Sequence, residues 1–190
     1  MKNTTIHIRN MCCQRCIEAV TAELTKSGLN VVSVKLGEAS FETSKDIAQK
    51  NIESALNKRG FILIKDEEEI LIESIKTAIL DVIHHLSEMD GKGFSLSKCL
   101  EEKTKMPYRH LLEIFKKKKG ITIQKYFILQ KIEKVKDLVE NSAMQFSEIA
   151  DLMGYKSLQH LSSQFKNINR MTMQQYQKSQ VKKRTFIDKI

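Results

Sequence analysis

The sequence predicts an α+β protein in which a small mixed domain is followed by a larger all-helical domain. Three observations support this prediction. The first 65 of the 190 residues form short segments in which polar and apolar residues alternate, whereas apolar residues recur at helical spacing over most of the remainder. A single proline and 41% hydrophobic residues permit long helices and two buried cores. The C-terminal half also resembles itself at an offset of 50 residues.

The elements predicted for residues 1–65 are, in order, a strand at 4–8, a helix at 16–26, strands at 31–36 and 39–43, a helix at 46–59 and a buried strand at 61–64. Gly28 and Gly60 follow the helices and are typical of helix ends. The order β-α-β-β-α-β predicts a ferredoxin-like βαββαβ domain.

Residues 66–90 predict an acidic amphipathic helix that connects the two domains. The segment DEEE suits the positive end of a helix dipole. An apolar stripe follows over roughly five turns, at Ile70, Ile75, Ala78, Ile79, Val82, Ile83 and Leu86. Such a stripe would also suit a homodimer formed through this helix. A glycine-containing break at 90–93 ends the segment.

The charge of the chain is unevenly distributed. The net charge of +9 divides into +4 for residues 1–65, −7 for 66–90 and +12 for 91–190. A strongly basic domain suits a polyanion such as nucleic acid, but a solubilising role explains the charge equally well. One hypothesis is that the acidic helix screens part of the basic surface, in which case neutral substitutions at Glu67, Glu68 and Glu69 should change DNA affinity.

Residues 91–180 predict only helices, followed by a basic tail at 181–190. The predicted helices lie at 95–104, 107–118, 123–140, 146–153 and 157–167. At the offset of 50, His110-Leu111 matches His160-Leu161 and Phe115-Lys116 matches Phe165-Lys166. Each half is a short helix, a tight turn and a second helix, which is the helix-turn-helix plan. Pro107 suits a first helical position and Gly154 a turn that needs positive φ.

The second helix of each unit has one apolar and one polar face. The apolar face would dock on the domain, while the polar face carries groups for base edges and phosphates of double-stranded DNA. The lysine run 116–119 suits phosphate neutralisation, or else a solvated helix end. A linker helix of about 18 residues spans about 27 Å, close to the ~34 Å between successive major-groove faces.

The segment ITIQKYFILQKIEKVKDLVENSAMQFSEIADLMGYKSLQHLSSQFK closely resembles the AraC/XylS DNA-binding domain, and the resemblance covers roughly residues 70–178. It implies two helix-turn-helix subdomains joined by a rigid helix, without the family's usual sugar-binding β-barrel. By the match, the first reading helix carries Tyr108, Arg109, His110, Leu112, Glu113 and Lys116, and Lys117 lies on the polar face of the same helix. The second carries Ser157, Leu158, Gln159, His160, Ser162, Ser163 and Lys166.

Several residues of this domain need a second interpretation. His110 and His160 either read a base or pack on a neighbour and touch a phosphate. Asn169-Arg170 replaces the glycine that the family usually has before the last helix, and we expect a slightly altered turn there. Cys99, equivalent to Ile149, is expected to be a buried small hydrophobic residue.

Three of the four cysteines occur within five positions, in the segment MCCQRC between the first predicted strand and helix. Cys13 and Cys16 can direct both sulfurs at one ion, and the helix N-terminus favours their thiolates. Two thiolates suit Cu(I) foremost, with Zn(II), Cd(II) or Hg(II) also compatible, and Cys12 could add a third sulfur. The adjacent His84 and His85 point to different helix faces and suit joint chelation poorly.

This segment resembles the heavy-metal-associated domains of copper chaperones and metal-pumping ATPases, which carry MxCxxC in the same loop. Met11, Cys13 and Cys16 match the motif, as does Gly60-Phe61 beside the site, and the resemblance covers about residues 3–65. It implies that Met11 packs under the loop and that Cys13 and Cys16 are ligands. Cys12 departs from the family pattern and leaves the coordination number open.

These patterns together predict a metal-responsive DNA-binding transcription regulator. A redox-responsive regulator, a dimerisation domain, a structural zinc site and a metal carrier without specific DNA readout remain alternatives. No acid–base pair, nucleophile constellation or phosphate loop is evident, so an enzyme is not expected. The segment MKNTTIHIRN lacks the apolar run of a signal peptide, and no stretch reaches the roughly 20 apolar residues that span a membrane, so we expect a cytoplasmic location.

Overall fold

The computed structural model describes residues 2–43, 49–86 and 95–179. The chain divides into two compact units, Met1–Thr77 and Ala78–Ile190. Each unit has its own topology and core. The predicted start of the second helix at 46, the break at 90–93 and the basic tail at 181–190 lie outside the described residues.

The first unit contains a four-stranded antiparallel sheet and two helices within its first 64 residues. Its elements are β1 (Lys2–Arg9), α1 (Gln14–Lys26), β2 (Asn30–Lys35), β3 (Glu38–Thr43), α2 (Gln49–Asn57) and β4 (Ile62–Ile64). The strand order is β2-β3-β1-β4, and every neighbouring pair is antiparallel. The element order predicted from the sequence is therefore observed. The central strand β1 leads directly into the segment that carries the clustered cysteines.

Apolar side chains from both helices and from the sheet form the core of this unit. Alternation along β1 buries Ile6 and Ile8, while α1 contributes Val20 and Leu24. The remaining buried members are Met11, Leu29, Ala39, Phe41, Ile52, Leu56 and Phe61. Burial of each larger apolar side chain contributes about 1.5–3 kcal/mol, so this core holds the loop before α1 in place.

The prediction that residues 61–64 form a buried strand is only partly correct. β4 begins at Ile62, and this residue is 42% exposed, whereas Ile64 is buried. The strand is only three residues long and lies at the edge of the sheet, where it pairs with β1 alone. Phe61, which is buried, precedes the strand. A continuous apolar run therefore does not indicate burial on both faces here.

Helix α3 (Glu67–His84) is shorter than the predicted acidic helix and begins in the first unit and ends in the second. Asp66 caps it, because its side chain accepts a hydrogen bond of 2.9 Å from the backbone N–H of Glu69. The predicted apolar stripe is buried at Ile75, Ala78, Ile79, Val82 and Ile83, and burial extends beyond it, because every residue from Ile75 to Leu80 is buried. Glu73 and Lys76 are also buried and form an ion pair of 3.1 Å.

In the described residues of the second unit, all regular secondary structure is helical. The helices are the end of α3, then α4 (Leu96–Thr104), α5 (Tyr108–Lys119), α6 (Ile123–Asn141), α7 (Phe146–Leu152), α8 (Leu158–Asn169) and α9 (Met173–Lys178). The five predicted helices are confirmed to within two residues at each end, and α9 follows them. Hydroxyl side chains cap four of the helices, at Ser95, Thr122, Ser157 and Thr172.

The 50-residue repeat is present in the fold. Helices α5 and α8 start and end at equivalent positions, and Thr122 and Thr172 cap the helices that follow them. Leu111 and Leu161 are fully buried, which confirms the apolar faces predicted for the two second helices. The two units of the repeat are therefore built on one plan.

Three local predictions need correction. Pro107 is the N-cap of α5 and not its first helical residue. Arg170 adopts the left-handed conformation at φ +60, as Gly120 does at φ +71, so the turn is retained where an altered one was expected. Cys99 is half-buried and its neighbour Leu100 fills the core, because the helix phase places Leu100 inward.

Candidate nucleic-acid interface and cysteine loop

Helix α5 presents its predicted reading residues to solvent. Arg109, His110, Glu113, Lys116 and Lys117 are exposed, and Tyr108 and Leu112 are half-buried. Arg109 and Glu113 are 3.4 Å apart on successive turns and are both largely exposed. Such an exposed pair contributes little to stability, so both side chains can exchange partners readily.

The first turn of α5 is held from the preceding helix. Pro107 has no side-chain cap to offer, and the Glu101 carboxylate of α4 accepts a hydrogen bond of 2.7 Å from the Tyr108 N–H instead. The Tyr108 hydroxyl accepts another from the Gln124 amide at 3.0 Å, at the start of α6. These bonds satisfy an orphan donor of the helix and set the start of α5 relative to its neighbours.

Helix α8 presents a more neutral surface than α5. Leu158, Gln159, His160, Ser163 and Lys166 are exposed. Ser162 is half-buried, and the exposed Ser157 is the N-cap, whose hydroxyl accepts from the His160 N–H at 3.2 Å. Ser157 therefore has a structural role in starting the helix. Amide, imidazole and hydroxyl groups remain on the exposed face.

Tyr155, which sequence reasoning did not single out, holds α8 against α6. Its hydroxyl donates to the Gln164 side chain at 2.7 Å, and its ring packs edge to face with His160 at 5.4 Å. The Lys131 ammonium of α6 lies 4.0 Å from the centre of the same ring. His160 therefore packs on a neighbour while its imidazole stays exposed, and its contact with a base or a phosphate stays a prediction. The only local signal was Tyr155 directly after the turn residue Gly154.

Burial changes the acid–base behaviour of this cluster. Loss of hydration lowers the pKa of Lys131 to about 8 and raises the pKa of Tyr155 to about 12. Both shifts arise because a low-dielectric environment disfavours the charged form. The contacts of Tyr155 with α6 and α8 are therefore sensitive to alkaline pH.

Helix α6 lies between α5 and α8 in the chain. It has 19 residues and so spans about 28 Å. Ile123, Tyr126, Ile132 and Val135 are fully buried along it. Such a helix is a stiff spacer, and its length is close to the rise between successive major-groove faces of one side of a duplex.

The cysteine loop brings three sulfur atoms together at the start of α1. The Cys16 sulfur lies 3.8 Å from that of Cys12 and 3.7 Å from that of Cys13. All three ligand atoms lie within 4.8 Å of one another, and each residue is half-buried. Among residues 2–43, 49–86 and 95–179 this is the one cluster of three metal-ligating side chains, so His84 and His85 do not take part in another.

Hydrogen bonds within the loop join the Cys16 sulfur to the sulfurs of Cys12 and Cys13. The hydrogen bond from the Cys12 thiol, with backbone hydrogen bonds from Cys12 and Cys13, lowers the pKa of Cys16 to about 5. The same bond to Cys16, together with burial, raises the pKa of Cys12. The lowered pKa and the position of Cys16 at the positive end of α1 both favour its thiolate form.

The loop is supported from beneath and from its sides. Met11 is 1% exposed, as the resemblance implied, and belongs to the same core as Phe61. Asn10, at φ +74, donates from its side chain to the Gly60 carbonyl at 2.9 Å. Its backbone N–H donates to the Glu73 carboxylate at 3.3 Å, and Arg9 pairs with Glu69 at 2.6 Å. The two residues that precede the loop, Arg9 and Asn10, are thus tied to α3.

Comparisons with known proteins concern the second unit. Residues 100–179 match the family described as a helix-turn-helix domain. The xylose operon regulatory protein of Escherichia coli (strain K12) is 27% identical over 99 residues, which cover 52% of this chain and 25% of the relative. The chain thus spans about a quarter of the length of this curated relative.

Two solved structures are similar over the same region. The C-terminal domain of the two-component response regulator yesN from Fusobacterium nucleatum is 29% identical, with 52% of this chain and 96% of that chain covered and a TM-score of 0.41. The DNA-binding domain of AdpA, in complex with a target DNA, is 20% identical, with 55% and 89% covered and a TM-score of 0.46. In the described part of this chain, no helix has the length and apolar character needed to cross a membrane. Residues 100–179 are therefore similar to a helix-turn-helix domain family, and about half of the chain is similar to an operon regulatory protein.

Proposed function

We propose that this protein is a DNA-binding transcription regulator whose helices α5 and α8 enter the major groove of double-stranded DNA. The observation that carries this proposal is the repeat itself. Two helices begin 50 residues apart, each with a fully buried leucine and phenylalanine on one face and polar side chains exposed on the other. That division leaves one face of each helix available for a duplex.

The two helices differ in the contacts that they offer. Arg109, Lys116 and Lys117 make the exposed face of α5 mainly cationic, which suits phosphates and guanine edges. Gln159, His160 and Ser163 make that of α8 mainly neutral and able to donate and accept, which suits readout of base edges. We therefore assign more of the affinity to α5 and more of the sequence preference to α8.

Fluorescence anisotropy with duplex DNA from upstream of this gene tests the proposal. Lys116→Gln should weaken binding to all duplexes. It should also reduce by about one the number of counterions released on binding, which the salt dependence of the affinity measures. Gln159→Ala should weaken binding to the preferred duplex by about 1–3 kcal/mol and leave random duplexes unaffected. Lys178→Gln, on α9, is the charge control. Equal binding of all duplexes by the wild-type chain would instead favour a carrier or scaffold without specific readout.

We further propose that the first unit is a ferredoxin-like, heavy-metal-associated domain that makes the regulator responsive to a soft metal ion, Cu(I) foremost. The supporting observation is the convergence of the three cysteine sulfurs at the start of α1. A donor set made only of thiols fits soft ions and does not fit Mg²⁺ or Ca²⁺. The bound ion would supply no catalysis, and it would link residues on the two sides of the loop–helix junction.

Anaerobic DNA titrations with and without one equivalent of Cu(I) test this response. A change of tenfold or more in DNA affinity, about 1.4 kcal/mol of coupling, is expected for the wild type and for the control Cys99→Ser. The change should be absent in Cys13→Ser/Cys16→Ser. A change produced by the oxidant diamide in metal-free protein, with no change on adding Cu(I), would favour the redox alternative, since Cys13 and Cys16 sulfurs are 3.7 Å apart.

A further inference from the structure

We infer that Cys12 is a full ligand and that the loop binds one soft ion through three thiolates. This inference rests on the proposed metal response and specifies its coordination. The ligand class that follows is a soft ion that accepts three sulfurs, such as Cu(I) or Hg(II), in preference to Zn(II).

The sulfurs of Cys12 and Cys13 lie at nearly equal distances from the Cys16 sulfur. The two distances are 3.8 and 3.7 Å, so neither sulfur is nearer in any meaningful sense. An ion with the ~2.3 Å bond length of zinc–thiolate sites separates its sulfurs by about 3.8 Å in tetrahedral and about 4.0 Å in trigonal coordination. The three side chains therefore need little rearrangement to bind one ion together.

The backbone explains how adjacent cysteines reach one point. Cys13 is the N-cap of α1 and is fully extended, with φ −158 and ψ 173. The three sulfurs of Cys12, Cys13 and Cys16 lie within 4.8 Å of one another across this junction of extended backbone and helix. The Cys16 N–H donates to the Cys13 carbonyl at 3.0 Å, which fixes the first turn of the helix.

The surroundings favour three ligands over four. Within the described residues, no histidine or carboxylate joins the cluster of Cys12, Cys13 and Cys16. Structural zinc sites are almost always four-coordinate, whereas Cu(I), a soft monovalent ion, binds stably to fewer thiolates.

X-ray absorption spectroscopy on the full, reduced chain with one equivalent of Cu(I) tests this inference directly. Three sulfur neighbours per copper are expected in the wild type and in the control Cys99→Ser, and two in Cys12→Ser. Competition with a chromophoric Cu(I) chelator should show at least a tenfold weaker affinity for Cys12→Ser. Cys12→Ala serves as a second variant, with far-ultraviolet circular dichroism to verify that both variants fold.

Each outcome decides between separate statements. Two sulfurs per copper in the wild type, or wild-type affinity in both Cys12 variants, would overturn the three-thiolate inference while leaving a two-thiolate metal response intact. Failure of the wild type to compete for Cu(I) would overturn the inference and the proposed copper response together, and Hg(II) titrated by its thiolate absorbance would show whether another soft ion is bound. Zn(II) bound as tightly as Cu(I), relative to its own chelator, would contradict the proposed selectivity.

Discussion

Phe165 and Tyr176 pack edge to face with ring centroids 5.6 Å apart, and this contact joins α8 to α9. Phe115 and Tyr126 repeat it 50 residues earlier at 5.4 Å, where it joins α5 to α6. The four rings are at most 2% exposed. Each reading helix is therefore held on its inner face by the helix that follows it.

Truncation of either phenylalanine should destabilise the second unit strongly. Phe165→Ala and Phe115→Ala each remove a fully buried ring and its aromatic partner, and we expect a loss of about 3–5 kcal/mol. Urea unfolding followed by circular dichroism measures it. Leu158→Ala, at a position 39% exposed, is the control and should cost less than about 1 kcal/mol. Losses below 1 kcal/mol in both phenylalanine variants would contradict this account.

Arg170 and Gly120 occupy equivalent turns and should respond oppositely to exchange. Both have left-handed φ, and a Cβ on Gly120 would meet no atom within 4 Å, so the conformation alone sets the cost there. We expect Arg170→Gly to stabilise the protein by about 0.5–1 kcal/mol and Gly120→Ala to destabilise it by about 1 kcal/mol. Thermal unfolding of the two variants measures both effects, and a shared sign would be inconsistent with the repeat.

The Lys131–Tyr155 contact predicts an unusual dependence of stability on alkaline pH. The folded-state pKa of Lys131, about 8, lies below its ordinary value of 10.5, so the folded protein binds fewer protons between these values. The free energy of unfolding should therefore rise as pH increases from about 8 to 10.5. The pKa of Tyr155 is raised from 10 to about 12, so its contribution is lost as pH rises above 10.

Urea unfolding at pH values from 7 to 11 measures this profile. Lys131→Met should abolish the rise that begins near pH 8, because it removes the buried ammonium. Tyr155→Phe should keep that rise and lose the decrease above pH 10. A profile for Lys131→Met that parallels the wild type at every pH would show that another group titrates.

The buried pair Glu73–Lys76 should matter for stability mainly through the cost of breaking it. Glu73→Gln leaves the Lys76 ammonium buried, at 4% exposure, without its carboxylate, and we expect a loss of about 3–5 kcal/mol. Glu73→Gln/Lys76→Met should recover much of that loss. Urea unfolding followed by circular dichroism measures the stability of the single and the double variant. The double variant being less stable than the single variant would indicate that the pair is stabilising in itself.

Much of this protein was predictable because the relevant signals are local. The start of a helix depends on a capping residue and the three residues after it, as at Thr122 and Thr172. Such starts are therefore predictable from a short stretch of sequence. The repeat at an offset of 50 residues and the spacing of Cys13 and Cys16 are also properties of the sequence alone. Together they determined the element order, the two helix-turn-helix units and the identity of the thiol cluster.

Only the tertiary structure decided which long-range contacts those elements make. The edge position of β4, the burial of α3 beyond one stripe, and the capping of Tyr108 by Glu101 all depend on residues distant in sequence or on neighbouring elements. Tyr155 joins α6 to α8 only because the folded chain brings Lys131 and Gln164 into contact with it. Periodicity reports which face of a segment is apolar, but it carries no information on what covers that face or where one sulfur lies relative to another.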